Sequence, residues 1–187
     1  MQAEINLESH FFDNADVEAA TQGYAHPQVL REWVKLGYFN TRMEPVLAGK
    51  SRKFPLPAVY EAVTLAHFAR AGILLRYALE FNAQFIESIR KEGGYQAYLD
   101  TGIVAGDGYS RCFVWKTEQR QSDKEPQFLS NISLEDLLVT MGGNGGWVGE
   151  ETPLPFQMAE CLVIINLSGI IRNVNAILEK RLKEKKE

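Results

Sequence analysis

Cysteine is nearly missing from this chain: two residues, Cys112 and Cys161, in 187. Two thiols exclude a disulfide-dense scaffold and a four-cysteine zinc site. Histidine is almost as scarce. His10, His26 and His67 are its three histidines, so the later half of the chain has none for acid–base or metal chemistry. Long apolar runs are lacking too. The most apolar stretch, Cys161 to Ile171, is broken by Asn166 and Ser168 and falls well short of the ~20 residues that span a bilayer. The opening MQAEINLESHFF has no basic segment leading into an apolar one. No secretion signal is therefore expected, and a cytoplasmic location is the default. Basic residues are outnumbered, 20 against 24 acids, for a net charge of −4. That argues against a protein that coats nucleic acid through its overall charge. Apolar residues, by contrast, make up 45% of the chain, enough for the packed core that a disordered chain cannot build. The length suits one domain or two small ones.

The charge is uneven along the chain. Between Tyr24 and Tyr60 six bases (Arg31, Lys35, Arg42, Lys50, Arg52, Lys53) face two acids (Glu32, Glu44), a local balance of +4. The pattern around these bases is helical. Asp13 or Asn14 caps an expected helix over 15–21, ended by Gly23. His26-Pro27 opens a second, with Pro27 where a missing N–H costs nothing. Its stripe is Val29, Leu30, Trp33, Val34 and Leu36, and Gly37 stops it. Residues 38–56 read as a short β-hairpin with a basic second arm, Lys50-Ser51-Arg52-Lys53-Phe54. Pro57 opens a third helix carrying Val59, Val63, Ala66 and Ala69, interrupted at Gly72. A fourth helix over 73–91 carries Leu75, Leu79, Phe81, Phe85, Ile86 and Ile89. This apolar face suits a second chain and its own chain equally well.

Helix, tight turn, helix, hairpin, helix is the order of a winged helix-turn-helix. Within it, Asp16-Val17-Glu18-Ala19-Ala20-Thr21 and Val29-Leu30-Arg31-Glu32-Trp33 through Gly37-Tyr38-Phe39 resemble the two helices of the MerR-type (mercury-resistance regulator) DNA-binding domain. Gly49-Lys50-Ser51-Arg52-Lys53-Phe54 stands where that family has its wing. Ala71-Gly72-Ile73 stands where it has a Leu-Gly-Phe-like end to the following helix. The resemblance covers about residues 11–75. The turn Gln22 to His26 is longer and bulkier than the family's, and the wing carries Pro45. The C-terminal half matches none of the family's mercury, drug or oxidation sensors. The general likeness is to small phage or mobile-element regulators.

A helix fits the major groove of DNA and reads bases from its N-terminal residues. The candidate contacts are Tyr24, His26, Gln28, Arg31 and Lys35 around the second helix. Gln28 can pair with adenine, and Arg31 with guanine or a phosphate. The resemblance implies that Arg31 meets the DNA backbone. Arg42, Lys50, Ser51, Arg52 and Lys53 on the wing would meet phosphates. Structural readings stand beside these. Trp33, Val29, Leu30 and Leu36 form a core stripe, His26 serves equally well as a helix cap, and Lys50 to Lys53 can be a solvated turn. The expectation is a sequence-specific transcription regulator that binds double-stranded DNA as a homodimer. The alternatives are an architectural or excisionase-type DNA-bending protein, and a protein–protein adaptor with an inactive winged helix.

Gly93-Gly94 marks the expected boundary between a DNA-binding domain (1–92) and a mixed α/β domain (93–187), giving an α+β fold. The second domain should hold strands at 109–116, 127–130 and 159–166, and a short helix over 134–141 behind Ser133. Its last helix would be capped by Ser168, with Ile170, Ile171, Val174, Ile177, Leu178 and Leu182 on one face. Residues 180–187 read as a frayed, solvated end. This half is expected to dimerise or sense, and is the place for an unknown protein or small-molecule effector. The run Gly142 to Gly146 lacks the Gly-Lys-Ser/Thr of a phosphate loop and reads as a connection. No nucleophile–base pair or metal-ligand spacing is present, so neither catalysis, metal nor cofactor is expected. Cys112 and Cys161 read as buried small apolar residues. A redox pair would require the fold to bring them together.

Overall fold

The structure is a computed structural model that describes residues 6–43, 51–91, 93–94, 112–117 and 161–185. Lys50, the strand expected at 127–130, the helix expected at 134–141 and the glycine run 142–146 lie outside these residues. The described chain is mostly helical with two small antiparallel sheets, an α+β arrangement in the loose sense. It divides into two compact units, Met1–Tyr95 with Ile170–Glu187, and Gln96–Gly169.

In the first unit, α1 (Asn14–Ala20) is set by its cap. The Asp13 carboxylate accepts from the Asp16 N–H, and the Asp16 carboxylate accepts from the Asp13 N–H, both at 3.0 Å. This reciprocal pair satisfies two of the donors that a helix start leaves open. Helix α2 (Pro27–Lys35) begins at Pro27, as the sequence implies. It ends at Gly37, whose φ of +75° only glycine adopts without strain. There the N–H groups of Gly37 and Tyr38 turn back to the carbonyls of Val34 and Trp33.

The hairpin expected over 38–56 falls partly outside the described residues, at 44–50. Of the remainder, Phe54–Pro55 is strand (β2). Its partner is Phe11–Phe12 (β1), in an antiparallel pair that sets Phe12 opposite Phe54. Both of these rings are fully buried, while Phe11 is 59% exposed. Nothing local in the sequence marks Phe11–Phe12 as that partner.

Helix α3 (Leu56–Arg70) is the centre of the unit. Beyond the apolar positions Val59, Val63, Ala66 and Ala69 that the sequence marks, every residue from Leu56 to Phe68 is buried except the half-buried Pro57 and the exposed His67. A helix apolar on all sides can only sit inside. Helices α1 and α4 (Leu75–Lys91) and both strands pack against it. Ala78, Phe81, Phe85 and Ile89 of α4 are buried, with Phe81 stacked between Phe68 and Phe85 at centroid distances of 5.5 and 5.7 Å. The apolar face of α4 is therefore taken up by its own chain.

The last described helix, α5 (Leu167–Glu184), corrects two expectations. It starts at Leu167, directly after a strand, so Ser168 lies within the helix. It also belongs with the first unit from Ile170 onward, where the sequence suggested the C-terminal half. Ile170, Ile171, Val174 and Leu178 are buried there, and the Tyr60 hydroxyl donates to Asn175 Oδ1. Its end is not a loose solvated tail. Arg181 Nε lies 2.7 Å from Asp16 Oδ1, and Lys185 Nζ lies 2.7 Å from Asp16 Oδ2 and 2.9 Å from Asp13 Oδ2. Sequence reading saw only a charged run, because the matching acids lie 165 and more residues earlier.

This clamp gives the first prediction. Burial alone would raise the Asp13 carboxyl. The hydrogen bond and charge of Lys185, with the N–H groups of Asp16 and Ala15, outweigh it and lower the pKa from 3.8 to about 2. A carboxylate with a depressed folded-state pKa stabilises the fold above its unfolded value and loses that contribution as pH falls. The stability gap between wild type and Asp13→Asn is therefore expected to shrink as pH falls from about 4 towards 2. Thermal melts of both proteins across that range check it. A gap that stays constant with pH would contradict it.

In the second unit, β3 (Cys112–Thr117) pairs antiparallel with β4 (Cys161–Asn166). The expected strands at 109–116 and 159–166 overlap them. Cys112 lies opposite Asn166, and Cys161 opposite Thr117. The two cysteines thus sit at opposite ends of the ribbon, roughly 17 Å apart at ~3.4 Å per residue. A disulfide needs Cα atoms within ~7 Å, so this register excludes a redox pair. No described helix is long and apolar enough to cross a membrane.

Candidate nucleic-acid interface

Helix α2 is held by one face and leaves the other to solvent. Leu30 and Trp33 are buried on the inner face. Tyr24, in the turn before α2, stacks on Trp33 with ring centroids 6.3 Å apart. On Tyr24 lies the Arg70 guanidinium, 5.2 Å from the ring centroid, and it donates to the Thr21 carbonyl at 2.9 Å. A residue at the end of α3 thereby fixes the turn that aims α2. Tyr24, a candidate contact from sequence, is half-buried in this bracket.

On the outer face His26, Gln28, Arg31, Glu32 and Lys35 are all exposed. His26 precedes α2 but makes no side-chain cap, so the capping half of its expected role is not realised. Leu36 was expected in the core stripe. It is the C-cap residue of α2 and is 64% exposed. Val29 and Val34 are half-buried.

Between α2 and the segment leading into β2 lies a cleft of about 250 Å³. Pro27, Leu30, Val34 and Phe54 supply its apolar lining. Arg31, Ser51, Arg52 and Asn14 supply its polar lining. The cleft brings Arg31, expected on the second helix, together with Ser51 and Arg52, expected on the wing. Arg42 and Lys53 are exposed and do not line it, and Lys50 lies outside the described residues. No ion pair involves Arg31 among the described residues. Asn14 was read only as a possible cap.

Sequence reasoning missed two residues that hold this arrangement. Arg70 carries no local signal. Glu61 does: it is the one acid in the otherwise uncharged run from Phe54 to Ala66. Its carboxylate is fully buried and receives the Asn40 N–H at 2.7 Å, the Thr41 N–H at 3.0 Å and the Thr41 hydroxyl at 2.6 Å. Burial pushes its pKa up, and the donors from Thr41 and Asn40 only partly offset this. Among the described residues no cluster of His, Cys, Asp and Glu is arranged to hold a metal ion. No protein-family model matches the sequence, and no curated protein matches it.

Proposed function

We propose that this chain is a sequence-specific DNA-binding transcription regulator that acts as a homodimer through a winged helix-turn-helix. In this reading α2 lies in the major groove with Gln28 at base edges, and the basic segment before β2 is the wing. The observation that carries the reading is the cleft shared by Arg31 and Arg52 beside the exposed face of α2. Guanidinium groups over an apolar lining suit a phosphate and its sugar. Arg42, Lys53 and Lys35 are also exposed and are further candidate phosphate contacts. The mechanism is binding without chemistry. Two copies on a palindromic site would set half-sites about one helical turn, ~34 Å, apart or a multiple of it.

Selection from a random duplex library by the purified protein tests this. The expected result is a palindromic motif. Arg31→Ala, and Arg52→Ala with Lys53→Ala, should each weaken binding at fixed salt. Each lost phosphate contact should also lower the slope of log affinity against log salt by about 1. Binding without a motif, insensitive to Arg31→Ala, would instead mark an architectural DNA-bending protein. No binding even at low salt would remove DNA from the account and leave the adaptor reading.

A further inference from the structure

We infer that Glu61 is a positioning residue for the DNA interface: from within α3 it latches the chain segment that leaves α2, and so sets where Arg42 emerges. The inference rests on the DNA-binding reading above.

A buried carboxylate is costly unless its charge is met by partners. Among the described residues no cation pairs with Glu61. The donors to its carboxylate come from two consecutive residues, Asn40 and Thr41. These lie three and four positions beyond the glycine that stops α2, and Arg42 follows at once. The same segment is tied a second time, because Asn40 Nδ2 donates to the Leu79 carbonyl of α4 at 2.8 Å. Residue 61 is held at its backbone as well. Its carbonyl accepts from Asn82 Nδ2 at 3.3 Å, and the single proton of the Thr64 hydroxyl is shared between that carbonyl, 2.9 Å away, and Asn82 Oδ1. The carboxylate therefore projects from an anchored backbone onto a two-residue stretch of chain.

An apolar side chain at position 61 would serve the core of α3 as well or better. What it cannot supply is an acceptor for two backbone N–H groups and a hydroxyl at once. The role of Glu61 thus lies in the segment it grips. A latch on both α3 and α4 removes the freedom of residues 40 and 41, so Arg42 starts from a fixed point. Phosphate contacts depend on that geometry, whereas base reading by α2 does not.

The test compares wild type with Glu61→Gln and the milder Thr41→Val. Gln keeps the size but turns one acceptor into a donor that faces an N–H. Val keeps the volume and removes the hydroxyl bond. Two quantities are measured: amide hydrogen exchange, and affinity for a mixed-sequence DNA duplex as a function of salt. Both variants should exchange the Asn40 and Thr41 amides at least about tenfold faster, with α2 amides unchanged. The salt slope should fall by about 1 for Glu61→Gln, as one phosphate contact is lost. A merely structural role would lower affinity with the folded fraction and leave the slope as it was, and that result would overturn the inference. Unchanged exchange at residues 40 and 41 would overturn it equally. If wild type itself binds no duplex, the DNA-binding reading falls and this role falls with it.

Discussion

Ending the chain after Gly169 is expected to abolish cooperative folding of the N-terminal unit, although the cut lies 74 residues beyond Tyr95. The reason is that α5 completes its core. Ile170, Ile171, Val174 and Leu178 are buried there, the last three with no exposed surface. Fully burying an aliphatic side chain contributes about 1.5–3 kcal/mol, so losing these side chains removes roughly 6–12 kcal/mol. That equals most or all of the 5–15 kcal/mol by which a typical domain is stable. The cut also leaves Tyr60 without Asn175 and Asp16 without its cations. A fragment of residues 1–95 should fail in the same way. Near-UV circular dichroism and thermal melts decide it. A fragment ending at residue 95 with a sharp melt near that of the full chain would show that α5 is dispensable.

Arg181→Ala with Lys185→Ala is expected to destabilise the protein by about 3–5 kcal/mol. Asp16 is 2% exposed, and both cations act on it. Removing them leaves a buried carboxylate compensated, among the described residues, by the hydrogen bond from the Asp13 N–H. The distinctive expectation is rescue. Adding Asp16→Asn to that double variant removes the uncompensated charge and keeps an oxygen to accept from the Asp13 N–H. The triple variant should therefore be more stable than the double one, and urea titrations measure the difference. A triple variant less stable than the double would mean that the cations act through packing and not through the Asp16 charge. By contrast, the exposed Lys180–Glu184 pair, 3.8 Å apart, should contribute little. Since α1 and α2 are joined by one turn, loosening the clamp also loosens the proposed reading helix. On the proposed DNA-binding reading, affinity should fall with stability in the double variant and recover with it in the triple.

The sequence by itself determined the order and most boundaries of the helices. Asp13 marks the start of α1, Pro27 that of α2, and Gly37 and Gly72 the stops, because capping and left-handed turns depend on residues a few positions apart. It also located the basic segment, since charge density is visible in any window. It half-revealed α3. The apolar positions Val59, Val63, Ala66 and Ala69 mark a helix, but not that it is buried on nearly every side. Glu61 was legible as an oddity in that helix, while its partners at residues 40 and 41 were not. Only the tertiary structure paired Phe54–Pro55 with Phe11–Phe12, brought Arg31 and Arg52 to one cleft, and set the cysteines at opposite ends of a ribbon. It alone decided that α5 returns to the first unit and locks its end onto Asp13 and Asp16. Helical periodicity states which face of an element is apolar and nothing about which element covers it. That choice is made by the packing of the whole chain, across separations that no local pattern spans.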